Sequence, residues 1–416
     1  MWLTFFVYDI IIQVYAILIR ISSIFNPKAR EWVNGRKRWA LLLKNKAPED
    51  GVDIWMHCAS LGEFEQGRPV LEALRNRYPD KYILLTFFSP SGYSVRKDYP
   101  TVNHVCYLPL DTRKNTRMFL QIIKPKLVIF VKYEFWLHFI RQTSAQEIPL
   151  LLVSAIFRPD QLFFKSYGKV FRQLLSCYNR IFVQDKNSFG LLKNIGTENC
   201  IIAGDTRFDR VITVRKQAKE FSAIDIFLDH KDAWVAGSTW QPDEQVIKDC
   251  MYLIPKWIIA PHEIEEDHLL QIEKLFYGKT IRYSLLKDSP EKYIDKNILL
   301  IDNVGMLSSL YRYGRAAYIG GGFGHGIHNI LEAAVYGIPV IFGPKFQKFR
   351  EAKVLIEMQA AFSISDEMEM KKIMNKLTDK NFRKSTGELG QNYVSREAGA
   401  TEKIIRFIQE KRFLTN

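Results

Sequence analysis

From Asp53 onward, short apolar runs alternate with amphipathic stretches of helical length, and this alternation constrains the fold more than any other feature. The runs are "DIWMHC" (53–58), "YILLTFF" (82–88), "HVCYL" (104–108), "KLVIFV" (126–131), "PLLLVSA" (149–155), "RIFVQ" (180–184) and "NCIIAG" (199–204). Helical patterns such as residues 63–78 and 115–123 fall between them. Strand and helix in alternation predict a parallel sheet covered by helices on both faces. The pattern turns polar across residues 205–232 and then restarts with "AWVAGS" (233–238), "KWIIAP" (256–261), "NILLID" (297–302), "AAYIGG" (316–321) and "PVIFG" (339–343). A restart predicts a second doubly wound α/β domain and a cleft between the two. The tail, residues 366–413, reads as helices.

Before residue 53 the chain is of different material. "MWLTFFVYDIIIQVYAILIR" carries one charged side chain, Asp9, ahead of Arg20. Nineteen residues of helix would be about 28 Å long, close to the hydrocarbon thickness of a bilayer. No basic region precedes it and no A-x-A site follows, so it does not read as a signal peptide. Residues 26–46 then hold seven Lys/Arg against Glu31 alone, which predicts a cytoplasmic location for the bulk of the chain. A carboxylate at mid-bilayer costs roughly 2.5–3.5 kcal/mol, so a helix lying in the interface stays open beside a spanning one, as does a helix buried in a soluble core. The expected organisation is an anchor helix over residues 1–25, a first domain over 26–210, a linker over 211–232 and a second domain over 233–416. A net charge of +14 favours an anionic partner: a membrane surface, a phosphorylated substrate or nucleic acid. No recognised nucleic-acid motif occurs. Cys58, Cys106, Cys177, Cys200 and Cys250 are scattered and odd in number, which suits a reduced compartment.

In open parallel sheets ligands bind beyond the carboxyl ends of the strands. "SLGE" follows the first run and puts Glu63 at a helix start, either as a general base or as a carboxylate meeting the helix dipole. "VKYEFW" brings Glu134 to the same edge, and "GDTRFD" brings Arg207. In the second domain "GSTW" offers Ser238 and Thr239 at a helix start, suited to phosphate, and "APHE" brings His262 after a strand. "YIGGGFGHGIHNILEAAVYGIPVIFGP" (318–344) lacks the glycine spacing of a dinucleotide fingerprint and the Gly-Lys-Ser/Thr of a P-loop. It predicts a strand, a glycine turn and a helix starting near Asn329. Whether that helix start holds an anion or the turn is only a turn stays open. The chain has no D-x-D for a metal-held nucleotide.

Taken together, "SLGEFEQGRPV", "YEFW", "GDTRFD", "GSTW", "APHE" and "GHGIHNILEAAVYGIPVIFGP" resemble the Kdo (3-deoxy-D-manno-octulosonic acid) transferase family of lipopolysaccharide biosynthesis. The resemblance covers almost the whole chain. It implies an inverting glycosyltransferase of GT-B architecture: two Rossmann-like domains facing a cleft, with an N-terminal membrane-anchor helix in the inner membrane and the catalytic domains on its cytoplasmic side. It implies CMP-Kdo as donor, a lipid A precursor (lipid IVA) as acceptor, an anionic membrane surface as partner, and neither metal nor cofactor. The first domain would take the acceptor and the second the CMP-sugar. Glu63 would be the catalytic base, with Glu134 and Arg207 assisting the transition state. CMP would be held at Pro261 and His262, at Gly305 and Met306, and by Asn329, Ile330, Leu331 and Glu332. The chain departs from the family pattern at Lys132, at Arg207 in place of lysine, at Pro261-His262-Glu263 in place of Pro-Arg-His, and at Met306 in place of glutamate. Another membrane-associated GT-B enzyme using a different nucleotide sugar is the alternative.

Overall fold

The computed structural model describes Trp2 to Leu414, which form two compact units: residues 2–209 with 398–414, and residues 210–397. Each is built on a seven-stranded parallel sheet. The first holds β1 (Ile54–Cys58), β2 (Ile83–Phe87), β3 (His104–Tyr107), β4 (Leu127–Val131), β5 (Leu150–Ala155), β6 (Arg180–Val183) and β7 (Cys200–Ile202) in the order β3-β2-β1-β4-β5-β6-β7. The second holds β8 (Ala233–Thr239), β9 (Lys256–Pro261), β10 (Thr280–Arg282), β11 (Ile298–Leu300), β12 (Gly314–Ile319), β13 (Val340–Phe342) and β14 (Ala361–Ser363) in the order β10-β11-β9-β8-β12-β13-β14. Every residue of β1, β2, β4 and β5 is buried, as near-continuous apolar runs in a parallel sheet covered on both faces require.

The strand order reverses direction between β1 and β4 in the first unit and between β8 and β12 in the second. Crevices for ligands open at such switch points. Glu63 follows β1 and Lys132 follows β4. Ser238 lies at the end of β8, and the glycine run at 320–322 follows β12. The chain therefore concentrates its polar motifs where the sheet topology opens each edge.

Twelve strands fall where the apolar runs predict them. The two others, β10 and β14, are three-residue strands at the edges of the second sheet. Two boundaries differ from expectation. Residues 211–232 are not an open linker, because helices Thr206–Lys216 and Ser222–Leu228 occupy most of them. Residues 398–414 belong to the first unit rather than the second. Helix Ala400–Glu410 buries Ala400, Ile404, Ile405, Phe407 and Ile408 in the core shared with Ile54, Met56 and Leu71. Burying an Ile or Phe side chain contributes roughly 1.5–3 kcal/mol. Asp209 fixes the start of that helix by accepting from the amides of Gly399 and Thr401, and Lys403 donates to the carbonyl of Ala203.

Candidate functional site

In the first unit the edge beyond β1, β4, β5 and β7 gathers charge. Glu63 sits in the first turn of helix Leu61–Arg77, whose N-cap is Ser60. The Ser60 hydroxyl makes no capping bond to the helix backbone and donates instead to Glu63 Oε2. Lys132 Nζ lies 3.8 Å from Glu63 Oε1, and the Glu63 side chain is 17% exposed. The carboxylate is thus aimed by two side chains and stays within reach of solvent. Lys132 adopts φ 71°, a left-handed conformation that costs a non-glycine residue strain and turns its side chain towards Glu63. Burial draws the Lys132 ammonium below the usual lysine range; Glu63 opposes that shift, while Arg207 and Arg158 add to it. Arg207 lies at the start of helix Thr206–Lys216, clamped on Asp205 with Nη2 at 2.7 Å and Nε at 2.9 Å. Thr206 anchors the turn by bonding Ser154 Oγ at 2.8 Å and the carbonyl of Gln66.

Glu134 is not the open carboxylate that its place after β4 predicts. It is 4% exposed. Its Oε2 lies 2.9 Å from His57 Nε2 and accepts from the Trp136 indole. His57 Nδ1 lies 2.9 Å from Thr86 Oγ1, which in turn accepts from Trp55 Nε1 at 2.8 Å. Trp55 donates to Thr86, and contacts then run without a break through His57 to Glu134. Two apolar β-strands carry this buried relay, so His57 and Thr86 read as core in the sequence. Tyr178 holds the Glu134 carbonyl at 2.7 Å. Glu134 is therefore held behind the site by His57, Trp136 and Tyr178 rather than presented as a free functional oxygen.

In the second unit the glycine run is pinned by one carboxylate. Asp243 Oδ2 accepts from the amides of Gly321 and Trp240, each at 2.9 Å, and Oδ1 accepts from Tyr318 at 2.7 Å. Gly320 has no room for a side chain, since a Cβ there would lie 2.1 Å from the Ser238 carbonyl. Gly321 takes φ 90°. The turn is closed upon itself, and the Gly321 amide is already spent. The helix expected near Asn329 is a single turn, Leu331–Ala334. Asn329 opens it by accepting from the Leu331 amide and donating to Glu332 Oε1 at 3.0 Å. Ile330 and Leu331 are buried in the core, so their side chains are unavailable to a ligand.

Thr239 is likewise corrected. It is the last residue of β8, is fully buried, and gives its hydroxyl to Glu244 at 2.9 Å. Helix Gln241–Cys250 begins two residues later, capped by Asp243. Ser238 remains partly exposed at φ 54°. Pro261 ends β9, and beyond it His262 is exposed. Gly305 is exposed at φ 93°, whereas Met306 is 8% exposed.

A ring stack lies beside this turn, built from residues 240, 262 and 328 that are far apart in the chain. Trp240 and His262 stack at 4.7 Å and 30°, and His262 and His328 at 4.4 Å and 25°. Trp240 Nε1 donates to His328 Nε2 at 3.2 Å. Burial, and then the neighbouring His262, draw His328 down to about 4. A neutral imidazole is what accepting that indole proton requires. Stacked face to face, the two imidazoles do not converge on a common metal position. Among the described residues no three His, Cys, Asp or Glu side chains gather as a metal site.

Residues 33–210 match the family model described as 3-deoxy-D-manno-octulosonic-acid transferase (kdotransferase). The chain is 28% identical over 338 residues to the 3-deoxy-D-manno-octulosonic acid transferase of Aquifex aeolicus, covering 78% of this chain and 85% of that one. It is 26% identical over 375 residues to the transferase of the same description from Haemophilus influenzae, covering 86% of each. Among solved structures, a UDP-N-acetylglucosamine 2-epimerase superposes with a TM-score of 0.58 at 14% identity, over 88% of this chain and 98% of that one. That likeness concerns the fold, two Rossmann-like units of the GT-B kind. Residues 33–210 thus match that family's domain, and most of the chain is similar to 3-deoxy-D-manno-octulosonic acid transferases, which are glycosyltransferases.

Proposed function

We propose that this protein transfers Kdo from CMP-Kdo to a lipid A precursor, lipid IVA, with inversion at the anomeric carbon. The observation that carries the reading is the placement of Glu63: a carboxylate at the switch point of the first sheet, aimed by Ser60 and Lys132 and still open to solvent. In an inverting displacement the acceptor hydroxyl attacks as the nucleotide departs from the opposite face, and its proton must go to a base within hydrogen-bond reach. Glu63 takes that proton. Lys132 and Arg207 bring positive charge to the same edge, where it attracts the carboxylate of an acidic sugar and offsets developing negative charge. Glu134 acts at one remove, holding Trp136 and His57 in place.

The second unit takes the donor. The exposed face of His262, backed by Trp240 and His328, offers a flat step for a pyrimidine. Glu332 and Asn329 accept and donate to the ribose hydroxyls, and Ser238 with the Gly305 backbone reaches the phosphate. Transfer needs neither metal nor cofactor, consistent with the lack of a D-x-D sequence. Helix Trp2–Ser22 brings the enzyme to the cytoplasmic face of the inner membrane, where a lipid acceptor resides. Its window Phe5–Ser22 has a mean hydropathy of 1.8 and only 17% of it is buried.

A panel of nucleotide sugars tests the donor. Purified protein with a lipid IVA acceptor should release CMP from CMP-Kdo and leave UDP- and GDP-sugars intact. Consumption of a UDP-sugar with CMP-Kdo untouched would instead establish the alternative, another GT-B glycosyltransferase.

A further inference from the structure

Helix Trp2–Ser22 docks on the first unit by one stripe. Phe5, Ile12 and Ala16 are buried, and Tyr8 and Asp9 on the same stripe are held by partners. Tyr8 donates to Asp111 at 2.5 Å, and Asp111 also caps helix Leu137–Ala145 through the amides of His138 and Phe139. Asp9 bonds His138 Nε2 at 2.5 Å and pairs with Arg113 at 3.3 Å. A helix crossing the bilayer would have to give up these bonds and carry Asp9 bare into hydrocarbon. The opposite face, which includes Phe6, Ile10, Ile17, Leu18 and Ile21, is exposed and apolar. Phe25, Leu41 and Leu42, nearby in the chain, are also exposed. A helix docked on its own domain by one face, with a broad apolar face opposite, has the form of an in-plane anchor.

The seam between this helix and the unit opens into a cavity of about 470 Å³, within the range of ligand pockets. Phe5, Arg113, Arg117, His138 and Arg141 line it, and no carboxylate does. The Arg141 guanidinium lies 4.3 Å from the Phe5 ring centroid. Further along the same helix a second hollow, of about 380 Å³, is bordered by Arg20, Arg36 and Lys37. Asp9 already answers Arg113, whereas Arg117 and Arg141 face the cavity without a carboxylate on its wall, and planar guanidinium forks match phosphate oxygens. The helix that borders this cavity through Phe5 carries the exposed apolar face.

We infer that helix Trp2–Ser22 lies in the plane of the membrane and that the arginine-lined cavity at its seam takes the phosphodiester of an anionic bilayer phospholipid. This rests on the membrane association proposed above and adds to it a headgroup site. The acyl chains of the bound lipid lie along the exposed face of the helix, and the phosphate sits between Arg117 and Arg141. The charge complementarity and the adjoining apolar face favour a lipid over a soluble phosphate.

Co-sedimentation of the full-length protein with vesicles tests it, using phosphatidylcholine alone and phosphatidylcholine mixed with phosphatidylglycerol. Wild type should prefer the mixed vesicles and be extracted by alkaline carbonate. A basic side chain near an anionic surface contributes about fivefold in partition, so the double variant Arg117→Ala/Arg141→Ala should lose roughly 25-fold of that preference. The variant should keep its melting temperature and its residual binding to phosphatidylcholine, which belongs to the apolar face. Unchanged preference in the double variant would overturn the headgroup site, as would displacement of wild type by inorganic phosphate as effective as by phosphatidylglycerol vesicles. Retention after carbonate would overturn the in-plane placement. Failure of wild type to bind any vesicle would overturn the membrane reading itself, which separates that failure from loss of the headgroup site alone.

Discussion

The edge beyond β1 and β4 and the turn beyond β12 occupy equivalent places in two similar sheets, yet they are built oppositely. At the first, side chains do the arranging: Ser60 and Lys132 aim Glu63, and Asp205 clamps Arg207. At the second, backbone does it: glycines pack within the radius of a methyl group, and Asp243 takes up the Gly321 amide. The difference teaches that one topology serves two purposes. Charge held near solvent is suited to moving a proton. A rigid, self-satisfied turn is suited to fixing the shape of a pocket, and leaves recognition to the residues around it.

The largest effect should follow from breaking the first edge. Glu63→Gln keeps the shape and removes the basicity, so transfer should fall roughly 10²–10⁴-fold, the usual contribution of a general base, while CMP binding stays unchanged. Glu65, which pairs with Arg96 at 2.8 Å, should tolerate the same change with near-normal turnover. Steady-state kinetics of the two variants side by side separates a base from a carboxylate that merely meets the helix dipole. If Glu63→Gln turns over within about threefold of wild type, the proposed base is wrong.

Next comes the turn. Gly320→Ala forces a methyl group against the Ser238 carbonyl and the Thr239 backbone. Overpacking of this kind costs about 1–3 kcal/mol, read as a lowered unfolding midpoint. Wild-type stability in that variant would mean the turn is looser than its packing implies. Glu332→Ala should weaken CMP binding about tenfold or more, because a charged hydrogen bond contributes roughly 1.5–3 kcal/mol. Calorimetry showing unchanged CMP affinity in the folded variant would move the ribose elsewhere.

The smallest effect concerns pH. His328 is drawn from 6.5 to about 4 in the fold. Above 6.5 it is neutral folded or unfolded. As pH falls from 6.5 towards 4 the unfolded chain takes up a proton that the folded chain refuses, so stability declines across that window and levels off below it. In denaturant melts wild type should lose stability relative to His328→Gln as pH falls from 6.5 towards 4. Parallel pH curves for the two proteins would remove His328 as the cause.

Twelve strands were legible because apolar runs bounded by polar helices admit little else, whereas β10 and β14, at three residues on sheet edges, are too short to leave a pattern. Glu63 and Arg207 were legible as polar residues immediately after apolar runs. The relay from Trp55 to Glu134 was not, because alternate residues of neighbouring strands meet only once the register pairs His57 with Thr86. Lys132 stood out in the sequence only as a departure from the family pattern, yet it is the cation beside Glu63. The final helix is legible as a helix, but the unit it packs on is not. Its amphipathic face says that it packs, not on what, and Asp209, the residue that captures it, lies far away in the chain.

The most direct test of the account is mass spectrometry of lipid IVA after incubation with CMP-Kdo and the purified full-length protein. The account predicts lipid carrying added Kdo, with CMP released in step. Lipid of unchanged mass, with CMP-Kdo either intact or hydrolysed to free Kdo, would contradict it.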